Sequence, residues 1–212
     1  LDELKAALSE FTSVHTLQFD VRDKEAVFAQ ISSLPNDFSE IDILINNAGN
    51  AHGLDPIQTG NLDDWDAMID GNIKGLLYVS KAIIPKMTAR KSGHIINIGS
   101  TAAKEVYPNG NVYCATKHAV DALTRAMRIE LAEFKVKVTG IHPGAVETEF
   151  SLVRFDGDAE RAASVYKGFE NLVAQDIADA IWFMLSRPKH VNINEMTIMP
   201  TAQPMAGVIH RQ

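Results

Sequence analysis

Three side chains in the middle of the sequence have types and a spacing that suit proton transfer. Tyr113 and Lys117 are four residues apart near the start of a predicted helix, so they share one face of it, one turn apart. Ser100 stands thirteen residues before the tyrosine, directly after a predicted strand at 94–98, and a loop rich in Pro and Gly follows it. Such a loop can fold back and bring the two hydroxyl groups together.

A lysine beside a tyrosine can turn the phenol into a useful general acid or base. A free phenol has a pKa of about 10, which makes it a poor base at neutral pH. An ammonium group about 4–5 Å away favours the phenolate by about 3–4 kcal/mol, at an effective dielectric constant near 20, and so brings the pKa close to 7. The alternative interpretation is a buried tyrosine next to a solvated lysine, because the bare spacing is common.

The composition is that of an ordinary globular protein and narrows the possible partners. The 212 residues are 46% hydrophobic and 22% charged, which suits one folded α/β domain. The net charge of −7 is spread along the chain and would repel phosphate backbones, so nucleic-acid binding is not expected. A single cysteine, Cys114, indicates a reducing compartment, and we expect a cytoplasmic location. No membrane-spanning run and no metal-cluster spacing is seen, so neither a membrane nor a metal is expected.

Short strands alternate with longer helices along the chain. Strands are predicted at 14–19, 41–45, 94–98, 136–141 and 196–199, and helices at 24–34, 64–87, 112–134, 159–169 and 176–186. Pro85 should bend its helix or end it early. This rhythm predicts βαβ units in one α/β domain over 1–212, with a Rossmann-type, doubly wound parallel sheet. Ligands bind beyond the carboxyl ends of such strands, which here carry Asp20, Asn46–Gly49, Gly99–Ser100 and Pro143–Gly144. Taken singly, each could equally be an ordinary turn.

Five ordered motifs together resemble the short-chain dehydrogenase/reductase family. They are Asn46-Asn-Ala-Gly49, Asn72 in Asn72-Ile-Lys-Gly75, Ser100, Tyr113-x-x-x-Lys117 and Pro143-Gly144. The resemblance covers essentially the whole sequence, and the set is far more specific than any one motif. It implies an NAD(P)-dependent oxidoreductase that moves a hydride between a nicotinamide and a carbonyl or hydroxyl carbon.

The resemblance also implies a role for each residue of the site. Ser100 would orient the substrate oxygen, and Tyr113 would transfer the proton. Lys117 would tune the tyrosine and hold the nicotinamide ribose hydroxyls. Asn72 would hold a water that links Lys117 to solvent, although alone it could be a polar residue that bends its helix. Cys114 and His142 are expected to be structural. The remaining cofactor contacts implied are Asp20 and Val21 at the adenine, Asn47, Ala48 and Gly49 at the adenosine ribose, and Pro143, Gly144, Val146 and Thr148 at the nicotinamide carboxamide.

The family's phosphate-binding loop, T-G-x-x-x-G-x-G, is not found in residues 1–212. By resemblance, residue 1 falls in the helix after the second family strand, which implies that about forty residues of a chain of about 250 precede it. The first two strands would then be missing, the strand at 14–19 would have no neighbour, and the strand at 41–45 would have an open edge. We therefore expect that residues 1–212 do not fold alone.

The C-terminal third resembles the NADP-dependent 3-hydroxy acid dehydrogenases, which include serine dehydrogenase and malonic semialdehyde reductase types. The similar segments are 148–155, 190–194 and 210–212. This implies NADP, with NAD left open, and a small 3-hydroxy acid or semialdehyde substrate. Arg154 could hold the substrate carboxylate, or it could be a surface or interface arginine. Two alternatives stay open: a reductase of other carbonyls, such as 3-oxoacyl thioesters or sugars, and a non-catalytic dinucleotide-binding scaffold. The family implies a homotetramer formed through the helices at 64–87 and 112–134, with the apolar tail 205–209 packing on a neighbour.

Overall fold

Four parallel strands form the central sheet in the computed structural model, which describes residues 1–212. Their spatial order is β1-β2-β3-β6, and β4 and β5 pair separately as a small parallel sheet. Parallel neighbours need a crossover connection, which the intervening helices supply. The six strands are β1 (Ile43–Asn46), β2 (Gly93–Ile98), β3 (Val136–Pro143), β4 (Val146–Glu147), β5 (Leu172–Val173) and β6 (Glu195–Ile198).

Eight α-helices connect and cover these strands. A π-helix at Asp70–Gly75 joins the third helix to the fourth, and 3₁₀ turns occur at Asn36–Phe38, Thr101–Ala103 and Ala132–Phe134. None of the helices combines the length and the apolar character needed to cross a membrane. The helices are α1 (Asp2–Ser9), α2 (Lys24–Ser32), α3 (Leu62–Ile69), α4 (Leu76–Arg90), α5 (Asn111–Leu131), α6 (Phe150–Arg154), α7 (Ala159–Tyr166) and α8 (Ala174–Leu185).

Short polar side chains determine where several helices begin. Asp23 caps α2 by accepting a hydrogen bond from the Ala26 amide, and Asn61 caps α3 in the same manner. Asp158 does so for α7. Each cap satisfies an amide that has no partner within its helix, typically at a gain of about 1 kcal/mol.

The core lies on both faces of the sheet. On one face Ile95 and Val138 pack against α2, α4 and α5, which contribute Val27, Met87 and Val120 among other residues. On the other face Ile96 and Ile141 pack against Met184 of α8. Consecutive residues of β2 are therefore both buried, which explains why its sequence is continuously apolar rather than alternating.

The predicted parallel sheet is confirmed, but several elements differ from the prediction. Residues 14–19 form no strand, because no neighbouring backbone pairs with them. β1 pairs only with β2 and is the open edge that was expected. Pro85 does not end its helix, since α4 continues to Arg90 while Ile83 and Met87 remain packed in the core. The helix predicted at 159–169 stops at Tyr166, and neither α6 nor the β4–β5 sheet was predicted.

Candidate active site

Ser100 and Tyr113 meet at the carboxyl edge of the sheet. β2 ends at Ile98, and Ser100 then caps the 3₁₀ turn by accepting a hydrogen bond from the Ala102 amide at 3.1 Å. The chain returns so that Tyr113 lies in the first turn of α5, where its phenol is close enough to the Ser100 side chain for the serine to lower its pKa. The predicted approach of the two hydroxyl groups is therefore present.

Burial dominates the electrostatics of the tyrosine. It raises the pKa of Tyr113 above the ordinary value of 10; Tyr107 raises it further, whereas the bond from Ser100 and the charge of Arg154 lower it. Lys117 lies 5.9 Å from the centre of the phenol ring and donates instead to the Ile98 carbonyl at 3.0 Å. The lysine therefore does not bring the pKa of the phenol close to 7 in the protein alone, because its ammonium is too distant to offset burial.

The pKa of Lys117 is also shifted by burial. Its side chain lies beneath the edge of the sheet and the residue is only 7% exposed. Burial lowers the pKa of Lys117 to about 8, because a low-dielectric environment disfavours the ammonium form. A lysine with a pKa this close to neutrality can give up and regain a proton readily.

Asn72 lies in the π-helix, the wide turn that separates α3 from α4. Its amide nitrogen donates to the Asn50 carbonyl at 2.9 Å and to the Thr116 hydroxyl at 3.1 Å, and its oxygen accepts from the Asn50 amide at 2.8 Å. Both amide hydrogens therefore have protein partners, and only the oxygen retains a lone pair for a further contact. A π-turn inside a helix frequently marks a functional position.

Gly49 is placed where a side chain would intrude on the site. A methyl group on Gly49 would lie 3.0 Å from the Asn72 oxygen and 3.6 Å from the Lys117 ammonium. The structure thus brings Gly49, Asn72 and Lys117 together. Asn47 and Ala48 precede Gly49 as exposed residues at the end of β1.

Arg154 lies next to the tyrosine at the end of α6. Its guanidinium carbon is 5.1 Å from the centre of the Tyr113 ring, and Nη2 donates to the Tyr107 hydroxyl at 2.9 Å. Its Nε also donates to the Gly53 carbonyl. Arg154, Tyr113 and Gly53 border a polar cleft that opens beside the phenol and is also lined by His52, Asp55, Asn61, Asp64, Trp65 and Asn111.

Four more of the predicted cofactor residues lie at the end of β3 and in the chain that follows it: Pro143, Gly144, Val146 and Thr148. Pro143 ends β3 and is buried, and a methyl group on Gly144 would clash with Gln203 at 2.4 Å, so the chain is tightly enclosed there. Val146 belongs to β4 and pairs with β5, and the Thr148 hydroxyl accepts from the Phe150 amide at 3.3 Å.

Asp20 and Val21 are the predicted cofactor residues that the structure does not bring to Tyr113 or Lys117. Asp20 pairs with Arg22 at 2.7 Å, and the bonds from Arg22 lower the pKa of its carboxyl group. Val21 approaches the backbone at Gly75, where an added methyl group would lie 2.8 Å from its side chain. Val21 therefore packs against the π-helix.

Three contributors to the site had no individual role predicted from the sequence, although Asn46 belongs to one of the motifs. Tyr107 orients Arg154, and Thr116 holds Asn72; Thr116 also donates to the Tyr113 carbonyl. Asn46 donates to Asn97 at 2.8 Å and to Ser80 at 3.0 Å, so this motif residue fastens β1 to β2 and α4. Thr116 lies one helical turn after Tyr113, a signal available from the sequence, whereas Tyr107 lies in an irregular loop that offers none.

The sequence pattern of the short chain dehydrogenase family matches residues 1–158. The chain therefore belongs to that family. It is 46% identical over 213 residues to an NADP-dependent 3-hydroxy acid dehydrogenase of Salmonella typhi, in an alignment that covers all of this chain and 85% of the relative. A Schizosaccharomyces pombe protein of the same description is 41% identical over 200 residues, which is 94% of this chain and 77% of the relative.

Solved structures give the same result for the fold. A structure described as the closed form of serine dehydrogenase complexed with NADP⁺ superposes with a TM-score of 0.94 at 44% identity, and the match covers all of this chain and 85% of that one. The similarity therefore extends over the whole parallel sheet and its helices.

Proposed function

We propose that this protein oxidises small 3-hydroxy acids, or reduces the matching semialdehydes and ketones, with NADP(H). The observation that carries the proposal is the placement of Arg154 beside the Tyr113 phenol. A guanidinium suits a carboxylate through paired hydrogen bonds. A substrate whose carboxylate contacts Arg154 can then place a hydroxyl group two carbons away between Ser100 and Tyr113. The similar proteins described as 3-hydroxy acid dehydrogenases support this choice.

The nicotinamide cofactor would accept or supply the hydride when bound. The residues at Gly49 suit such a cofactor, because the absence of a side chain there leaves space next to Lys117 and Asn72. We propose that Tyr113 and Lys117 hold its nicotinamide ribose. The other proposed contacts are Asp20, Val21, Asn47, Ala48, Gly49, Pro143, Gly144, Val146 and Thr148. The similarity to NADP-bound and NADP-dependent proteins favours NADP over NAD.

The residues of this chain would manage the proton. In reduction, Tyr113 donates its phenolic proton to the developing alkoxide, while Ser100 holds the same oxygen by a hydrogen bond. The raised pKa of Tyr113 keeps the phenol protonated and ready to donate at neutral pH. In oxidation the Tyr113 phenolate accepts that proton, and Lys117, whose pKa is lowered to about 8, passes protons between the site and solvent. Asn72 would order the water through which Lys117 exchanges protons with solvent.

A substrate panel followed by nicotinamide absorbance tests this proposal. We expect the holoenzyme to turn over 3-hydroxy acids with NADP more efficiently than with NAD, and more efficiently than 3-oxoacyl thioesters or sugars. Tyr113→Phe should lower kcat by roughly 10²–10⁴-fold, because it removes the general acid. Full turnover in Tyr113→Phe would instead support the non-catalytic scaffold.

Arg154→Gln separates the acid substrates from other carbonyls. We expect KM to rise for a 3-hydroxy acid and to stay unchanged for an uncharged alcohol of the same length, because only the former loses its carboxylate partner. An equal effect on both substrates would contradict the carboxylate role. Arg161→Gln is a matched control, since Arg161 stacks on Phe155 outside the cleft.

We also propose a cytoplasmic homotetramer. Trp182 is 71% exposed and Phe183 is 46% exposed on α8, beside the outer strand β6, and such large apolar side chains suit a subunit interface. The single cysteine, which is buried, is consistent with a reducing compartment. Light scattering would measure the subunit number, and Trp182→Glu should lower it if α8 forms a contact.

A further inference from the structure

A second cluster of chemically capable side chains lies apart from the Tyr113 cleft. Asp121 of α5, His142 of β3 and Glu195 of β6 converge beside the sheet, with one ligand-type atom of each residue within 4.8 Å of the others. The His142 Nε2 is 3.6 Å from Asp121 and 3.7 Å from Glu195. No hydrogen bond joins these atoms, so the imidazole faces two carboxylates without bonding to either.

His142 gives this cluster a feature that an acidic patch lacks. The residue is 1% exposed, yet its Nε2 has no hydrogen-bond partner. Buried polar atoms are nearly always paired, and an exception calls for a ligand, a water or an ion. A neutral imidazole is the form that binds a metal ion.

The donor set and its dimensions suit one particular class of ion. Zn²⁺ binds imidazole nitrogens and carboxylate oxygens at bond lengths of about 2.0–2.2 Å, so it can use one imidazole with two carboxylates. Tetrahedral bonds of this length place the donors about 3.4 Å apart, so the 3.6 and 3.7 Å separations from His142 are nearly suitable and a small rotation would close the rest. Glu195 can make it, because its side chain is 46% exposed, whereas Asp121 and His142 are held inside. The fourth position would be open to water.

Two basic side chains already neutralise these carboxylates. The Lys104 ammonium lies 2.6 Å from Glu195 and 3.1 Å from Asp121, and Arg125 contacts Asp121 at 3.0 Å. The positive charges of Lys104 and Arg125 balance the negative charges of Asp121 and Glu195. A divalent ion therefore binds favourably only if one of the two basic side chains moves away. Lys104 is 28% exposed and its long side chain can swing into water, and its ammonium occupies the place between the carboxylates that the ion needs.

We propose that Asp121, His142 and Glu195 form a binding site for a divalent transition-metal ion, best matched by Zn²⁺, from which the ion must displace Lys104. It differs from two expectations from the sequence, that no metal binds and that His142 is structural. The three ligands are too widely separated along the chain to form a recognisable motif, and the pairing of β3 with β6 brings them together.

Calorimetric titration of ZnCl₂ into chelator-treated holoenzyme tests the site. We expect one Zn²⁺ per chain, and roughly tenfold or greater tightening in Lys104→Ala, because a competing positive charge a few ångströms away has been removed. Lys104→Ala with His142→Gln should lose this binding. Lys74→Ala, which removes an exposed lysine paired with Asp70, is the matched control and should leave the affinity unchanged.

Cobalt absorption provides a second measurement. Co²⁺ bound to a low-symmetry nitrogen and oxygen set should give visible absorption in Lys104→Ala that disappears when His142 is replaced. Glu195→Gln, at a half-exposed position, should weaken metal binding without disturbing folding. This variant therefore tests the site even if a variant of the buried His142 does not fold. The proposal is overturned if Lys104→Ala binds Zn²⁺ no more tightly than the parent, or if replacing His142 or Glu195 leaves the affinity unchanged.

Discussion

Replacing Lys117 by methionine should make the fold more stable at neutral pH while abolishing turnover. The lysine is buried beneath the sheet edge, and burial lowers its pKa from 10.5 to about 8. At neutral pH the charged Lys117 therefore destabilises the folded protein relative to the unfolded chain, in which the ammonium is solvated. Methionine has a similar length and no charge, so it should fill the same space without that cost.

The magnitude follows from the pKa shift of Lys117. A shift of 2.5 pKa units corresponds to about 3 kcal/mol at pH 7, where the residue is protonated in both states. Methionine cannot donate the hydrogen bond that Lys117 gives to the Ile98 carbonyl, and this loss offsets about 1 kcal/mol of the gain in stability. We therefore expect the free energy of unfolding to rise by about 2 kcal/mol.

The pH dependence distinguishes this cause from improved packing. Between pH 8 and 10.5 the unfolded chain keeps the proton of Lys117 that the folded protein has lost, so the stability of the parent rises with pH. The advantage of the variant should consequently shrink from about 2 kcal/mol at pH 7 to near zero at pH 10. Guanidinium denaturation followed by fluorescence of Trp65 and Trp182 measures both values.

Two outcomes would refute this reasoning. One is a Lys117→Met variant that is no more stable than the parent at pH 7. The other is a stability difference that stays constant between pH 7 and pH 10, since uncharged packing does not titrate. Lys81→Met is the control, because Lys81 is exposed on α4 and its replacement should change the free energy of unfolding little at either pH.

Three further substitutions test other parts of the structure. Asn72→Ala should lower the free energy of unfolding by about 1–3 kcal/mol, because it leaves the backbone groups of Asn50 without partners; unchanged denaturation would contradict this. Burial lowers the pKa of His94 to about 4, so the parent should lose stability as pH falls from 6.5 toward 4, and His94→Gln should lose less in the same titration. Gly99→Ala places a methyl group 2.5 Å from His142, and it should reduce kcat by displacing the strand end before Ser100; kinetics identical to the parent would show that the loop accommodates it.

Much of the fold was readable from local sequence patterns. The apolar runs of β2 and β3 predict buried parallel strands, and the spacing of Tyr113 and Lys117 places them one turn apart on α5. The segment at 14–19 shows the limit of such patterns. Its alternation is that of a strand, but a strand exists only where another backbone pairs with it, and none does.

The helix around Asn72 shows a second limit. The sequence predicts one continuous helix over 64–87, whereas the structure has a π-turn at Asp70–Gly75 that directs the Asn72 amide toward Asn50 and Thr116. The turn depends on partners that are 22 and 44 residues away in sequence. Helical periodicity cannot report such partners, because it reflects only neighbours within a few residues.

The proposed catalytic residues were chosen from the sequence itself, because side-chain chemistry and one helical turn are local properties. Their electrostatic state was decided by the tertiary structure. Lys117 was expected to lower the pKa of Tyr113, yet the packing of α5 against the sheet buries both residues, raises the pKa of the phenol and lowers that of the lysine. Likewise, Asp121, His142 and Glu195 meet only because β3 pairs with β6 and α5 packs across them. Burial and distance between remote residues arise from packing, and no local pattern contains them.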